Sequence, residues 1–463
     1  MVLPRPRWRQ TQRATEGPGP ITSRSTELML LVLVGFIITC LYILASLGDK
    51  GRTPPSILPF FIFIFVLGAV AHLGIKKYAP RSSQILLPLV ALLNGLGYLE
   101  IARWDSRKAS YQSVWIFISV LALFGVLHFV KRIRDLDRYR YLSLLTAAGL
   151  MLLPLVPHLG EKVNGARLWI HLGAFTFQPV EIAKLLLIAF FASYFSANKE
   201  ILSQSQLHLG PLGIPALSAF FPIFVAWGFA LLVLGTENDI GFAMLFFVVF
   251  FSLLWITTGR RIYVALGVVL LTSGGYLGQS AFHQIHQRFA IWLNPWTTTA
   301  LDHGGNQLVQ SWFALANGGL TGTGVGLGQA GRYVGEVTTD MMMSALGEEL
   351  GWIGVIIVLS AILLIVGEGL HIAQRSGPSF NRILATGLSL VLGFQTFVIA
   401  AGVFRILPLT GITLPFVAYG GSSLVANYII VGLLLRLSDE NLREKRGGEL
   451  QRSQLLKPIQ FKG

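Results

Sequence analysis

Cysteine is almost absent. Cys40 is the only one in 463 residues, so no disulfide within the chain can brace its loops. Charge is also scarce: Asp, Glu, Lys and Arg together make up 13% of the chain, against 53% hydrophobic residues. A soluble domain carries about 25% charged residues, so this balance excludes an ordinary soluble enzyme. The phosphate-cradling pattern G-x-x-x-x-G-K-[ST] and the zinc-binding pattern H-E-x-x-H are both missing, which leaves P-loop ATPase and zincin chemistry unsupported. Acidic residues are the rarer sign, 22 against 36 Lys and Arg.

What fills the chain instead is long apolar runs, each of about 18–25 residues and able to cross a bilayer. The expected fold is an all-α polytopic membrane protein with about twelve transmembrane helices. Spans are read near 27–47, 57–74, 84–102, 113–130, 140–157, 179–197, 213–234, 239–257, 261–278, 343–366, 380–404 and 414–437. The opening "MVLPRPRWRQTQRATEGPGP" is too long and Pro-broken for a signal-peptide n-region. No small-residue cleavage site follows the first apolar run, which is therefore expected to remain as a span.

The formal charge of +14 invites a nucleic-acid reading, but its distribution argues against one. With the N-terminus placed in the cytoplasm, the inner loops and tails hold 25 Lys and Arg when Arg436 at the inner end of the last span is counted with them, the outer loops hold 10, and Lys184 lies inside a span. This is the positive-inside bias, so the basic charge is topological. It puts the tails 1–26 and 438–463 in the cytoplasm, where their attraction to anionic lipid would be unspecific.

Three outer segments carry the chemistry worth weighing: 158–178, the long loop 279–342 and the turn 405–413. The long loop is far beyond an ordinary connector, and such loops are commonly functional. Its "LVQSWFALA" reads as a short amphipathic helix in the interface, with Trp292, Trp296 and Trp312 at headgroup depth. "GLGQAG" (326–331) matches G-x-G-x-x-G, yet no strand precedes it and the dinucleotide reading fails. The wider "GGLTGTGVGLG" is better read as a close-packed turn, one whose backbone N–H groups are free to face an anion. "HQIH" (283–286) lacks a carboxylate partner and is a weak metal site.

Arg167, Arg288, Arg332 and Arg405 stand in the outer segments against the inside bias. Each is either locally paired or part of a site for an anionic ligand, since the planar guanidinium suits phosphate. "FQPVEIAK" sets Gln178, Glu181 and Lys184 at a span's start, with Glu181 and Lys184 one helical turn apart and able to pair. Glu237 and Asp239 fall at an outer helix break, where capping explains Asp239 almost as well as function. Asp340 either caps the following span or, partly withdrawn from water, accepts a proton near neutrality. Glu348 and Glu349 lie two turns deeper and cannot both face one way, so at least one is expected to pair with another helix.

These residues sit in four blocks: "VNGARLWIHLGAFTFQPVEIAK", "RFAIWLNPW…GGNQLVQSWFALANGGLTGTGVGLG", "EVTTDMMMSALGEELGWIG" and "LPLTGITLPFVAYGGSSLVANYIIVGLLLRLS". In that order, over 158–437, they resemble the SEDS (shape, elongation, division, sporulation) family of bacterial cell-wall synthesis, which includes RodA and FtsW. Residues 1–157 match only as hydrophobic spans. The family has ten helices, so two extra would stand at the N-terminal end.

The resemblance implies a peptidoglycan glycosyltransferase that polymerises lipid II at the outer face of the cytoplasmic membrane and releases undecaprenyl pyrophosphate. It places the essential carboxylate on Asp340 and the family's tryptophan on Trp169. The family's polar blocks fall on Gln178, Glu181 and Lys184, on Glu237 and Asp239, and on Glu348 and Glu349. Arg167, Arg288, Arg332, Arg405 and Gln307 are the candidate pyrophosphate and substrate contacts. A class B penicillin-binding protein is the implied partner. No soluble cofactor is expected, and a divalent cation, Mg or Mn, is the one addition the chemistry would admit.

Departures from the pattern, Val180, Asn238, Asn306, Gly335, Met341 and Ala418, remove no charged candidate and bear on the branch, which leans RodA-like. Two rival readings remain: a lipid II flippase, suited by intramembrane Glu181 and Lys184, and a non-enzymatic scaffold of the wall-synthesis machinery.

Overall fold

The computed structural model describes residues 24–455 except 55–56, 164–165, 174, 204–206, 210–211, 215–216, 238 and 282. The first 23 residues, the end of the basic C-terminal tail and Asn238 therefore lie outside the described residues.

The first half of the chain is a run of helices: α1 (Ser25–Lys50), α2 (Ile57–Tyr78), α3 (Leu86–Trp104), α4 (Ser106–Phe129), the short α5 (Arg134–Arg138), α6 (Arg140–Leu152), α7 (Val180–Ala197) and the short α8 (Lys199–Ser203). Then follow α9 (Leu217–Thr236), α10 (Ile240–Thr258), α11 (Ile262–Ala281), α12 (His283–Leu293), the single turn α13 (Thr298–Ala300), α14 (Asn306–Gly318) and α15 (Ala330–Tyr333). The last three are α16 (Met342–Arg375), α17 (Ser379–Val403) and α18 (Gly421–Leu455).

Among the described residues, ten helices are long and apolar enough to cross a membrane. Every one of the twelve expected spans falls on a helix, but Arg140–Leu155 and Phe224–Thr236 are shorter, so the count of twelve is not confirmed. Helix α6 stops early because Pro154 follows and fixes its own φ, turning the chain into a 3-10 turn at Leu153–Leu155. The fold also departs from all-α at two places, one of them a two-stranded antiparallel ribbon of Leu207–Leu209 and Leu212–Ile214. Residues 160–177 form a three-stranded antiparallel sheet, β1 (Gly160–Val163), β2 (Ala166–Leu172) and β3 (Phe175–Phe177). Alternation in "ARLWIHL" is the local signal for that strand.

Inside a bilayer, helices gain little from apolar burial and rely on close packing. The packed centre is aromatic: Phe191, Phe250 and Trp227 meet with ring centroids 5.2–5.3 Å apart, joining α7, α9 and α10. Helix α17 runs buried through this core against α7, α10 and α16. At one end of the bundle the Asp439 carboxylate accepts from the Arg81 backbone N–H (2.9 Å) and Glu440 accepts from that of Ile133 (2.9 Å). The opposite end gathers the sheet, the 237–239 turn, the long loop and residues 404–420, and all the candidate residues but the Glu181–Lys184 pair and its neighbours in the helices stand there.

Helix α16 is broken at Gly351, whose φ of +67° is open only to glycine at ordinary cost. A Cβ there would also strike the backbone of Leu320 and Gly322. The break frees backbone groups that a membrane cannot satisfy, and the glycine-rich stretch supplies the partners. Trp352 N–H donates to Gly319 O (3.0 Å), while Thr323 N–H and Gly324 N–H donate to the carbonyls of Glu348 (2.9 Å) and Glu349 (3.1 Å). The loop is thus spliced into the helix's own hydrogen-bond ladder.

Candidate functional site

Two clusters of acidic and basic side chains form at this end. The first lies beneath the glycine-rich loop. Both Glu348 and Glu349 are buried, at 0% and 4% exposure. Glu348 accepts from Gln329 N–H (2.8 Å), Ala330 N–H (2.5 Å), Asn317 Nδ2 (2.8 Å) and Tyr333 hydroxyl (3.0 Å). Glu349 accepts from Gly326 N–H (2.9 Å) and pairs with Arg103 of α3. The anion facing the "GLGQAG" amides is therefore the protein's own. One of the two glutamates does pair with another helix, as the sequence required, yet both serve the same loop. Sequence reasoning missed Arg103. Its signal was present: Glu100 and Arg103 stand one turn apart at a span's end, the same pattern that singled out Glu181 and Lys184.

The second cluster is built by five segments. Asp340 sits just before α16 and does not cap it: Met341 holds the N-cap position and no side chain caps the helix. The capping alternative is thereby set aside. Arg288, from α12, donates from Nη1 to the Leu409 carbonyl (3.0 Å). Between them runs Gly411, with φ +75°. A Cβ on Gly411 would stand 3.6 Å from Asp340 Oδ2 and 4.0 Å from Arg288 Nη2, so this glycine keeps the space between acid and base open. Asp239 caps α10 by accepting from Phe242 N–H (3.0 Å), which accounts for Oδ1 and leaves buried Oδ2 unpartnered. Both carboxyl oxygens of Glu237 are buried without a hydrogen bond.

Burial dominates the electrostatics here. It pushes Asp340 up to about 6, with Glu336 adding to the rise and Arg288 opposing it. Burial likewise raises Asp239 to about 6, against the pull of the Phe242 N–H and Arg288. Glu237 is pushed up to about 8 by burial and by Asp239 beside it. Desolvation lowers Arg288, while Asp239 and Asp340 hold it up. The result is a cation flanked by carboxyls that titrate near neutrality, the range in which a general base works best.

Neighbouring contacts fix the frame. Lys184 pairs with Glu181 inside α7 and donates to Gln395 Oε1 (3.2 Å), whose Nε2 donates to the Thr413 carbonyl (2.8 Å). The Gln178 backbone N–H donates to Ser422 Oγ (2.8 Å). Lys108, missed by the sequence reading, donates to Thr338 Oγ1 (3.1 Å), and Tyr419 N–H donates to Thr338 O (2.8 Å), pinning the chain two residues before Asp340. Gln307 packs beside Gly335 with its Nε2 buried and unpartnered.

The arginines divide. Arg288 is at the second cluster, and exposed Arg167 stands next to it, its backbone N–H on the Glu237 carbonyl (3.3 Å). Arg332 belongs to the first cluster's rim. Arg405 is committed elsewhere: its Nε and Nη2 donate to the Trp292 (2.8 Å) and Leu293 (2.6 Å) carbonyls, closing the end of α12. Trp169 lies on β2, opposite Glu161. "LVQSWFALA" is helical, as α14, with Leu308, Val309 and Leu315 buried and Phe313 exposed. Among the described residues no three His, Cys, Asp or Glu side chains form a metal-ligand group.

Comparison with known proteins agrees with this architecture. The peptidoglycan glycosyltransferase RodA of Mycobacterium leprae is 35% identical over 427 residues, covering 90% of this chain and 90% of that protein. The RodA of Mycobacterium tuberculosis is 34% identical over 428 residues, with 90% and 91% covered. A probable FtsW of Geobacter sulfurreducens is 35% identical over 379 residues, 79% of this chain and 98% of its own. The mycobacterial likeness is too long to fit within residues 82–463, so it reaches into the N-terminal helices. Among solved structures, a chain of a peptidoglycan synthase complex coordinating polymerization and crosslinking superposes with TM-score 0.63 at 24% identity, covering 78% of this chain and 98% of that one. The crystal structure of Thermus thermophilus RodA gives TM-score 0.55 at 24% identity, over 78% and 97%. With residues 82–443 matched by the family model, the chain belongs to the FtsW, RodA and SpoVE family of cell cycle proteins.

Proposed function

We propose that this multi-pass membrane protein is a peptidoglycan glycosyltransferase that polymerises lipid II, with Asp340 as its general base. One observation carries the reading: a half-buried carboxyl titrating at about 6 stands beside a guanidinium, with only glycine between them. Growth of a glycan strand needs both groups. Asp340 takes the proton from the acceptor sugar's 4-hydroxyl as that oxygen attacks the anomeric carbon of the donor. The new glycosidic C–O bond forms as the bond to the lipid pyrophosphate breaks, and undecaprenyl pyrophosphate leaves. Arg288 meets the negative charge developing on the leaving group, with Arg167 beside it and Arg332 at the rim of the neighbouring cluster. Trp169 and Gln307 are assigned to the substrate on the family resemblance.

The same reading places this end of the bundle outside the cell and both tails in the cytoplasm, as the bias of 25 inner against 10 outer Lys and Arg requires. A class B penicillin-binding protein is the proposed crosslinking partner, and the fold is that of a chain solved in a polymerising and crosslinking complex. A flippase would need titratable groups along a route through the bilayer. Among the described buried carboxyl oxygens, those with neither a hydrogen bond nor an ion pair belong to Glu237 and Asp239, side by side at one end.

The test is direct. Purified protein, with and without a class B penicillin-binding protein, is given labelled lipid II in detergent, and glycan ladders are read on gels. Asp340→Asn keeps size and removes the base, so ladder formation should fall by about 10²–10⁴-fold while the melting temperature stays within a few degrees. Near-normal ladders from Asp340→Asn would remove the base assignment. Absence of ladders from wild type, with lipid II translocated in liposomes, would overturn the glycosyltransferase.

A further inference from the structure

The N-terminal hairpin α1–α2 lies outside the span matched by the family model, and it does not pack flush against the rest of the bundle. A cavity of about 90 Å³ runs between α1, α2, α3 and α4, lined by Leu31, Phe63, Leu67, Gly68, Ala91 and Val120 among other apolar groups. A second, polar cavity of about 220 Å³ lies further along α1 and α3, bounded by Asp49, Lys50, Arg52 and Arg103. A stack of aromatic rings stands between them. Tyr42, which lines the second cavity, stacks on Phe60 at 4.1 Å, and Phe60 stacks on Tyr98 at 5.5 Å, both lining the first.

The polar cavity is short of an anion. Arg103 has a side chain only 7% exposed, and its Nε lacks a hydrogen-bond partner, with the Asp49 carboxylate 4.0 Å away on the cavity side. Its other nitrogens are taken by Glu349 and the Gly328 carbonyl. Lys50 and Arg52 are exposed at the mouth, and the turn that presents them is tied by Ser46 Oγ donating to the Arg52 carbonyl (2.9 Å). Lys50, Arg52 and Arg103 line this cavity against one lining carboxylate, Asp49, while Glu349 pairs with Arg103 from outside the cavity. Basic pockets between membrane helices recognise lipid headgroups, and dry apolar cavities take up hydrocarbon.

We infer that the seam between the N-terminal hairpin and the family core is a binding site for one anionic phospholipid. Its phosphate sits among Lys50, Arg52 and the Arg103 Nε, and an acyl chain lies in the apolar cavity beside Gly68. The aromatic row marks the level where headgroup gives way to chain, the depth at which Tyr is favoured in membranes. The site is separate from Asp340 and Arg288, and it does not depend on the glycosyltransferase reading.

Gly68 makes the site testable, because a Cβ built on it meets nothing within 4 Å. Gly68→Phe therefore fills the cavity without a backbone clash. The full chain is purified, stripped of lipid, and titrated with phosphatidylglycerol or phosphatidylcholine. Native mass spectrometry counts the lipids retained. Wild type should hold one phosphatidylglycerol about tenfold more tightly than phosphatidylcholine, a difference of about 1.4 kcal/mol set by the basic groups at the headgroup. Lys50→Gln with Arg52→Gln, both on the surface and harmless to folding, should abolish that preference. Gly68→Phe should lose the bound lipid whatever its headgroup, whereas Gly68→Ala should keep it. Equal retention by wild type and Gly68→Phe would overturn the chain-binding seam. An unchanged headgroup preference in the Lys50/Arg52 double variant would overturn the phosphate site.

Discussion

Two groups of carboxylates lie at the same end of this bundle and are treated in opposite ways. Glu348 accepts four hydrogen bonds and Glu349 one more besides its pairing with Arg103. Glu237 and the Oδ2 of Asp239 accept none, and Asp340 is held near neutrality with Arg288 across Gly411. A buried carboxylate whose lone pairs are filled by backbone N–H groups is a structural element, fixed and unreactive. One left unfilled costs free energy in the resting protein, and that cost is offset only when a ligand or a proton arrives. Identical chemistry thus reads as architecture in one place and as a site in the other, and the hydrogen-bond inventory is what separates them.

The sharpest way to break this comparison is to treat the closed cluster as though it were open. Arg103→Met strands Glu349 in a buried setting, and losing one member of a buried ion pair costs about 3–5 kcal/mol. The expected outcome is a large drop in melting temperature in detergent. Arg103→Met with Glu349→Met should recover most of it, since an apolar pair of similar volume is tolerated. A single variant as stable as wild type would show that the cluster is not structural. Next in size, Arg288→Lys keeps the charge and loses the planar fork, so lipid II turnover should fall about 10–100-fold with little change in melting temperature. Unchanged turnover would free Arg288 from the leaving group.

The smallest effect is a titration. Asp340 must be ionised to accept a proton, and burial has raised it to about 6. The rate of ladder formation should therefore be level above that pH and fall about tenfold per unit below it, as the fraction of free carboxylate falls. Below that pH the group is protonated and the folded chain no longer carries a buried charge there, so the lost rate should not be accompanied by unfolding from this residue. A rate that stays level down to pH 5 would place the base elsewhere.

Much of this was legible in the chain. The apolar runs gave the helices because bilayer thickness sets a minimum length, and the turn spacing of Glu181 and Lys184 gave their pairing. Asp239 as a cap followed from its place before an apolar run, and α14 from its periodicity. The rest depended on contacts between distant segments. Nothing local says that the amides of Gln329 and Ala330 face Glu348, or that Gly411 lies between Asp340 and Arg288. The sheet at 160–177 went unread because its strands are short and polar on one side, and Arg103 because an i, i+3 pair was noticed in one span and overlooked in another. The helix at 140–155, cut short before Pro154, shows the limit of counting spans by hydropathy.

The spliced joint at Gly351 also has a consequence for how the chain is made. Ribosomes deliver α3, with Arg103 near its end, well before α16 brings Glu349 into the membrane. During that interval the arginine is without its final partner, and Glu100, one turn earlier and already bonded to Trp104 Nε1 (3.2 Å), is the only acid α3 itself supplies. The glycine-rich stretch emerges next, its amides uncommitted until the first half of α16 follows. Insertion of α16 is thus the step that converts a set of waiting donors and one waiting cation into a finished end of the bundle, all at once and late in biogenesis.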